Sequence, residues 1–227
     1  MAIRGMNPYR YKVARLAKAP EIDANWDKAP WTAIAAGRVA HYMGCKPEHM
    51  PETEFKVAYD RAALYAIFRA KDKFVRAVAS AHQDAVCRDS CVEFFFSPGT
   101  DVAKGYFNLE MNCGGTMLFH FQRVPRKDPR PLPPDRCRKL TIGHSMPAIV
   151  DPEIAGPVAW TVEYRLPMGI LEGYCDIAQP APGVEWRANF FKCGDDSSHP
   201  HWLTWSPVDL PKPDFHVPAC FGLLEFQ

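Results

Sequence analysis

The chain has 227 residues, 47% of them apolar, with 27 Lys and Arg against 26 Asp and Glu. That length and apolar content suit one domain with a sizeable core, and the balanced charge argues against the basic field that binding to nucleic acid or a membrane surface requires. No apolar run reaches the length of a bilayer span. Residues 1–20 carry several basic residues but no apolar core of signal-peptide length, so the chain is expected to be intracellular or already trimmed.

Taken in order, residues 1–18 read as a lead-in strand or arm. Asp23, Asn25 and Asp27 beside Pro30 predict a tight turn that Trp26 and Trp31 anchor by core packing. Residues 37–52 lack periodicity and read as a loop. Residues 55–60 and 63–70 alternate as two strands of a hairpin, with Lys71, Asp72 and Lys73 closing its far end. Residues 74–86 read as a short helix or an irregular segment.

The next stretch organises the chain. Residues 91–98 read Cys-Val-Glu-Phe-Phe-Phe-Ser-Pro and residues 105–113 read Gly-Tyr-Phe-Asn-Leu-Glu-Met-Asn-Cys. Side chains alternate faces along a strand. Val92, Phe94 and Phe96 therefore form one apolar row, and Phe107, Leu109 and Met111 form another. The opposite face carries Glu93, Asn108, Glu110 and Asn112 together with Tyr106. Carboxylates, amides and an aromatic ring on one strand face can hydrogen-bond and stack on a polyol, or can simply be a solvated sheet face.

Residues 116–121 give a further strand. Residues 123–138, rich in Pro, Arg and Lys, read as an exposed loop. Short strands are expected at 139–142 and 148–150, a longer one at 159–167 and a turn of helix at 168–171. Residues 184–192 form another strand, with Trp186, Ala188 and Phe190 on one face and Arg187, Asn189 and Phe191 on the other. A polar loop over 194–201 and a closing strand over 221–226 complete the chain. Many short strands and few helical stretches predict an all-β fold, a two-sheet antiparallel β-sandwich of jelly-roll or immunoglobulin-like type in a single domain over 1–227. The eight cysteines lack zinc-ribbon spacing and are expected to be free thiols, with Cys91 and Cys113 packing as small hydrophobes.

The order of short motifs carries a resemblance. Ile-Asp-x-x-Trp from Ile22 is followed by Tyr-Asp at Tyr59, Asp-Ser-Cys-Val-Glu-Phe-Phe from Asp89, Tyr-x-x-x-Glu-x-Asn from Tyr106, Trp-Arg-x-Asn-Phe-Phe from Trp186 and Phe-Gly-x-Leu-x-Phe from Phe221. The series resembles the family 9 carbohydrate-binding modules and their relatives in the DOMON superfamily. That resemblance implies a β-sandwich that binds sugars, often with structural calcium, while some superfamily relatives bind haem b. It further implies that a carboxylate at Glu93 meets the sugar hydroxyls and that two tryptophans sandwich the ring, one of them a few residues before that carboxylate. Here Val86, Cys87, Arg88 and Asp89 precede Glu93 without an aromatic, so the stacking ring has to come from elsewhere, with Trp202 and Trp205 as candidates.

The candidate ligand-binding set is Arg88, Glu93, Asn108, Glu110, Asn112, Trp186, Arg187, Asn189, Trp202 and Trp205. Asp195 and Asp196 supply oxygen ligands for a possible calcium ion, without EF-hand spacing. The expected partner is a saccharide or glycan. Two alternatives stand beside it. Glu93 and Glu110 could be a glycosidase pair, although arginines nearby would lower the pKa that a general acid needs raised. A haem-binding electron-transfer module would draw axial ligands from His120, His144, Met146 and Met168, which no spacing selects. Nothing resembles a nucleophile elbow, a phosphate loop or a zinc-protease motif, so the reading is non-catalytic.

Overall fold

The computed structural model describes residues 9–227. Its strands are β1 (Arg10–Arg15), β2 (Gly37–Val39), β3 (His41–Tyr42), β4 (Glu52–Tyr59), β5 (Ala63–Ala77), β6 (Cys91–Ser97), β7 (Tyr106–Asn112), β8 (Met117–Gln122), β9 (Arg130–Pro131), β10 (Thr141–His144), β11 (Val150–Pro167), β12 (Glu185–Cys193), β13 (Trp202–Thr204) and β14 (Gly222–Phe226). The α-helix among the described residues is the single turn Pro134–Cys137. The part of the predicted lead-in strand before residue 9 lies outside the described residues.

The molecule is all-β, but its sheet is one curled, mixed sheet running β10-β11-β5-β4-β1-β14-β12-β6-β7-β8-β9. The reason is β1. Its first four residues pair in parallel with β14 (Arg10 to Leu223 through Val13 to Phe226), and its last two pair in parallel with β4. One short strand thus stitches together two limbs that are otherwise antiparallel. The limbs fold over one another and bury the period-two apolar rows in a shared core. Phe55 of β4 stacks on Phe190 of β12 across that core, ring centroids 3.6 Å apart, and Phe190 stacks in turn on Phe94 at 4.8 Å. Burying one such ring contributes roughly 2–3 kcal/mol.

Four segments depart from the sequence reading, one of them β11, which runs unbroken over Val150–Pro167 where separate strands at 148–150 and 159–167 are expected. β5 does not stop at Ala70 but continues to Ala77 against the long β11. Asp72 interrupts the apolar row on paper, yet it points inward and is fully partnered there. Residues 37–52, read as a loop, include β2 and β3, which extend β4 and β13. The basic, proline-rich stretch after Arg123 is mostly exposed as expected, but Leu132 and Cys137 reach back into the core.

Both outer faces are covered. Trp26 and Trp31 lie with Tyr65 and Ile67 over β4 and β5. Trp31 donates its indole N–H to the fully buried Glu163 at 2.7 Å, and Lys56 and Arg69 sit over the Trp26 ring. On the other limb the irregular segment 205–221 lies over β6, β7 and β12, with Phe215 stacked on Phe191 at 4.2 Å. The predicted polar strand face is therefore covered rather than solvated, and this cover creates the site.

Candidate ligand cavity

β6 pairs with β7 on one side and β12 on the other, so the register decides which outer side chains meet. Glu93 lies opposite Glu110 on β7 and Phe191 on β12, and Cys91 lies opposite Cys193. The cover packs on the aromatic part of this face, at Phe95, Tyr106 and Phe191, and leaves a cavity of about 170 Å³ at the acidic part. Glu93, Glu110, Cys87, Cys193, Asp195 and Trp202 line it, and the cover and its neighbouring loop contribute Phe215, His216, Asp214 and Arg126. A larger depression of about 390 Å³ opens beside Ser97, Asp101 and Asp176, but it has no aromatic lining.

The polar groups behind the cavity are tied to one another. Asn108 Nδ2 donates to Glu110 Oε1 at 2.9 Å, and Gln122 Nε2 donates to Asn108 Oδ1 at 2.9 Å. Tyr106 Oη lies 2.7 Å from His216 Nδ1. Trp202 donates its indole N–H to Asp195 Oδ1 at 2.8 Å. Glu93 is the exception. It is 2% exposed, its Oε1 takes only weak thiol donors, Cys193 at 3.2 Å and Cys91 at 4.0 Å, and its Oε2 has no hydrogen-bond partner. A buried carboxylate oxygen without a partner costs on the order of 1–3 kcal/mol, more when charged.

No free cation relieves this group among the described lining residues. Arg126 is held by Asp214 at 2.8 Å and 3.1 Å. Burial, with Glu110 beside it, pushes Glu93 well above the carboxylate range. Burial likewise carries Glu110 up to about 7, against the Asn108 hydrogen bond. Asp195 is raised by burial, with Trp202 opposing. Burial and the Arg126 charge bring His216 down to about 4, so it is neutral near pH 7. The cavity floor is an acceptor-rich surface poor in positive charge.

The sequence-nominated residues separate into those on the cavity and those with other work. Glu93, Glu110 and Trp202 line it, and Asn108 supports Glu110 from behind. Asn112 closes the β7–β8 turn, accepting from the Gly114 and Thr116 amides and donating to Asp89. Asn189 is buried and saturated by Thr204 and Ser206. Arg187 donates to the Phe221 carbonyl at 2.9 Å and so ties down the cover. Trp186 is fully buried in the inner core, its N–H on the Ala178 carbonyl. Trp205 packs edge-on against Phe55 and Phe190 in the same core. Arg88 is outside the lining, and its carbonyl accepts from the Asp196 amide at 3.0 Å.

The aspartates proposed for calcium diverge. Asp195 accepts from Trp202 in the cavity wall, whereas the exposed Asp196 approaches Arg76 at 3.8 Å, so the pair does not form an oxygen cage. The haem candidates are also split. His120 shares the outer face of β8 with Leu118, while Met168 is in the inner core. Sequence reasoning missed Cys87, Cys193, Arg126 and the cover residues Asp214, Phe215 and His216. Cys193 was within reach, since one more step along β12 adds it to the row of Phe191. The cover has no period and is joined to β6 only through the fold.

Comparison with known proteins agrees with this architecture. A protein from Bacteroides uniformis, provisionally described as carbohydrate-binding in its crystal structure, superposes with a TM-score of 0.86 and 28% identity, over 97% of this chain and 100% of that one. A family 9 carbohydrate-binding module from Caldicellulosiruptor kristjanssonii, solved in complex with glucose and with cellotriose, shares the fold at a TM-score of 0.66 and 16% identity. It covers 96% of this chain and 96% or 94% of its own in the two complexes. No curated protein sequence matches the chain. The family profile described as carbohydrate-binding family 9 matches residues 20–226, nearly the whole length, and the chain belongs to that family.

Proposed function

We propose that the protein binds carbohydrate without acting on it, and that the cavity lined by Glu93, Glu110 and Trp202 is the binding site. The observation that carries this reading is the buried, unpartnered Glu93 carboxylate beside an indole ring in a closed-backed cavity. A sugar meets both needs: hydroxyl donors for the carboxylates and a C–H face for the ring. The volume of about 170 Å³ suits a single sugar ring, such as a chain end, rather than the middle of a long glycan. Trp202 takes one stacking wall, and Phe215 offers a second aromatic ring in place of the tryptophan absent before Glu93.

Hydrolysis fits poorly. Glu93 and Glu110 are cross-strand neighbours on one floor, so both approach a sugar from the same side instead of flanking its glycosidic bond. The two-sheet sandwich description and the wider DOMON relation belong to the same reading, resting on the antiparallel limbs and on the order of sequence motifs. Calcium at Asp195 and Asp196 forms no part of it.

Glucose and cellotriose, the ligands of the Caldicellulosiruptor module, are the first sugars to titrate, followed by a panel of mono- and oligosaccharides. With Glu93 held neutral by burial, the hydrogen bond it makes is worth about 0.5–1.5 kcal/mol, so Glu93→Gln should weaken binding by roughly 2- to 10-fold. Unchanged affinity in both Glu93→Gln and Trp202→Ala, with the fold intact by circular dichroism, would place the site elsewhere.

A further inference from the structure

We propose that Cys91, Cys193 and Glu93 form a site for a thiophilic divalent cation, zinc or a metal of similar preference, in the floor of the cavity. The inference does not depend on sugar binding. It starts from register: β6 and β12 place Cys91 directly opposite Cys193, with Glu93 two residues further along the same face. The two sulfurs and a Glu93 oxygen all lie within 4.8 Å of one another. Cys193 Sγ is 3.2 Å and Cys91 Sγ 4.0 Å from Glu93 Oε1.

Those separations match what a metal requires. Zinc binds sulfur at about 2.3 Å and carboxylate oxygen at about 2.0–2.2 Å, which sets tetrahedral ligand atoms about 3.5–3.8 Å apart. The three donors therefore converge with shifts of about an ångström or less, from side chains on two hydrogen-bonded strands. Two thiols select a soft or borderline ion over calcium, which takes oxygen ligands only.

A second observation points the same way. Glu93 Oε2 has no partner, and no free positive charge stands among the described lining residues. A divalent cation held through Oε1 supplies the missing charge beside a carboxylate whose second oxygen is unpartnered. Glu93 and Cys193 also line the cavity, which gives the ion a path in. With three protein ligands, one coordination position stays open toward the cavity, where Cys87 and Asp195 are further donors.

Binding replaces the thiol protons. Each cysteine forms a sulfur–metal bond and releases its proton to solvent, and the raised Glu93 carboxyl releases its own to form the oxygen–metal bond, so three protons leave for each ion bound at a pH where all three groups are protonated, and no electrons are transferred. Because binding displaces thiol protons, affinity should rise with pH.

The test uses the full chain, reduced with a phosphine and freed of metal, titrated with cadmium as the spectroscopic probe and zinc as competitor. Thiolate-to-cadmium absorption should saturate at one ion per chain, be displaced by zinc, and survive in a Cys45→Ser/Cys220→Ser variant that removes two more accessible thiols. It should be lost in Cys91→Ser/Cys193→Ser, and Glu93→Gln should weaken binding at least tenfold. Cadmium NMR of the unaltered chain guards against a misfolded variant, because its shift reports the ligating atoms and should indicate two sulfurs. No absorption in the parent, a shift typical of oxygen ligands alone, loss of the signal in Cys45→Ser/Cys220→Ser, or its persistence in a folded Cys91→Ser/Cys193→Ser variant would each overturn the site.

Discussion

Lys192 and Cys193 are neighbours on β12 but face opposite sides of the sheet, and each belongs to a buried polar cluster. On the inner side Lys192 is fully buried. It donates to the Cys193 carbonyl at 2.9 Å, and its Nζ lies 2.8 Å from His201 Nε2 and 3.5 Å from Asp72. Asp72 meets His49 at 2.7 Å, the Lys73 amide at 2.8 Å and the Trp160 indole at 3.4 Å. Against the burial that would raise it, Lys192 and His49 hold Asp72 down to about 2. Burial and the adjacent Lys192 bring His201 to about 3, so it stays neutral.

On the outer side Glu93, Glu110 and Asp195 gather without a free cation, and a carboxylate oxygen is left over. Both clusters are buried, so burial does not distinguish them. Completeness does. The inner cluster pairs its charges and serves the fold, whereas the outer one lacks partners that a ligand would bring.

That contrast is easiest to break from the inside. Lys192→Met strands a buried Asp72 charge and should cost about 3–5 kcal/mol in urea denaturation. Equal tolerance of Lys192→Met and Glu93→Gln would erase the distinction. The inner cluster also fixes an acid limit. With Asp72 lowered in the folded state, its contribution is complete above its unfolded value near 3.8 and is lost as pH falls through about 2.

The outer cluster has the opposite sign. Glu110 is raised to about 7 from 4.5, so the folded state holds its proton longer than the unfolded one. The contribution of Glu110 to stability should fall as pH rises from about 4.5 through 7 and then level off. Glu110→Gln removes that penalty, and its stabilisation relative to the parent should grow by on the order of 3 kcal/mol between pH 4.5 and pH 8. A pH-independent difference in thermal or urea unfolding would show that the site is better solvated than its burial indicates.

Asn112→Ala sharpens the boundary between support and site. It removes the acceptor for two turn amides and should cost about 1–2 kcal/mol in stability while leaving sugar affinity within about twofold. Trp202→Ala should do the reverse. The ring is only partly buried, so stability should change by less than about 1 kcal/mol while binding measured by calorimetry drops.

How much of this was legible in the sequence follows from the same physics. The period-two runs at 91–98, 105–113 and 184–192 became β6, β7 and β12, because strands with one buried face record their orientation in alternation. Glu93, Asn108, Glu110 and Asn112 all lie on the outer face that the alternation assigned them. Alternation gives a face but not the saturation of its groups. Asn112 and Asn189 looked like ligands and are bonded internally, since their partners at Thr116 and Ser206 belong to turns without a periodic signature. Trp186 and Trp205 were attractive as aromatic platforms, but aromatic type carries no direction, and both point into the core. The charged run Lys71-Asp72-Lys73 reads as the end of its strand until the partner of Asp72, Lys192, 120 residues later, is brought beside it. The stitching role of β1 is invisible for the same reason: its parallel pairing with β14 and β4 joins segments far apart in sequence that meet only in the fold.

The central claim, that the Glu93 cavity is where carbohydrate binds, is tested most directly by a crystal structure of the protein with whichever saccharide binds most tightly in the titrations. The account predicts a sugar ring against Trp202 with a hydroxyl oxygen about 2.5–3.0 Å from the Glu93 carboxylate. A well-occupied saccharide on another face of the molecule, with this cavity filled by water alone, would contradict it.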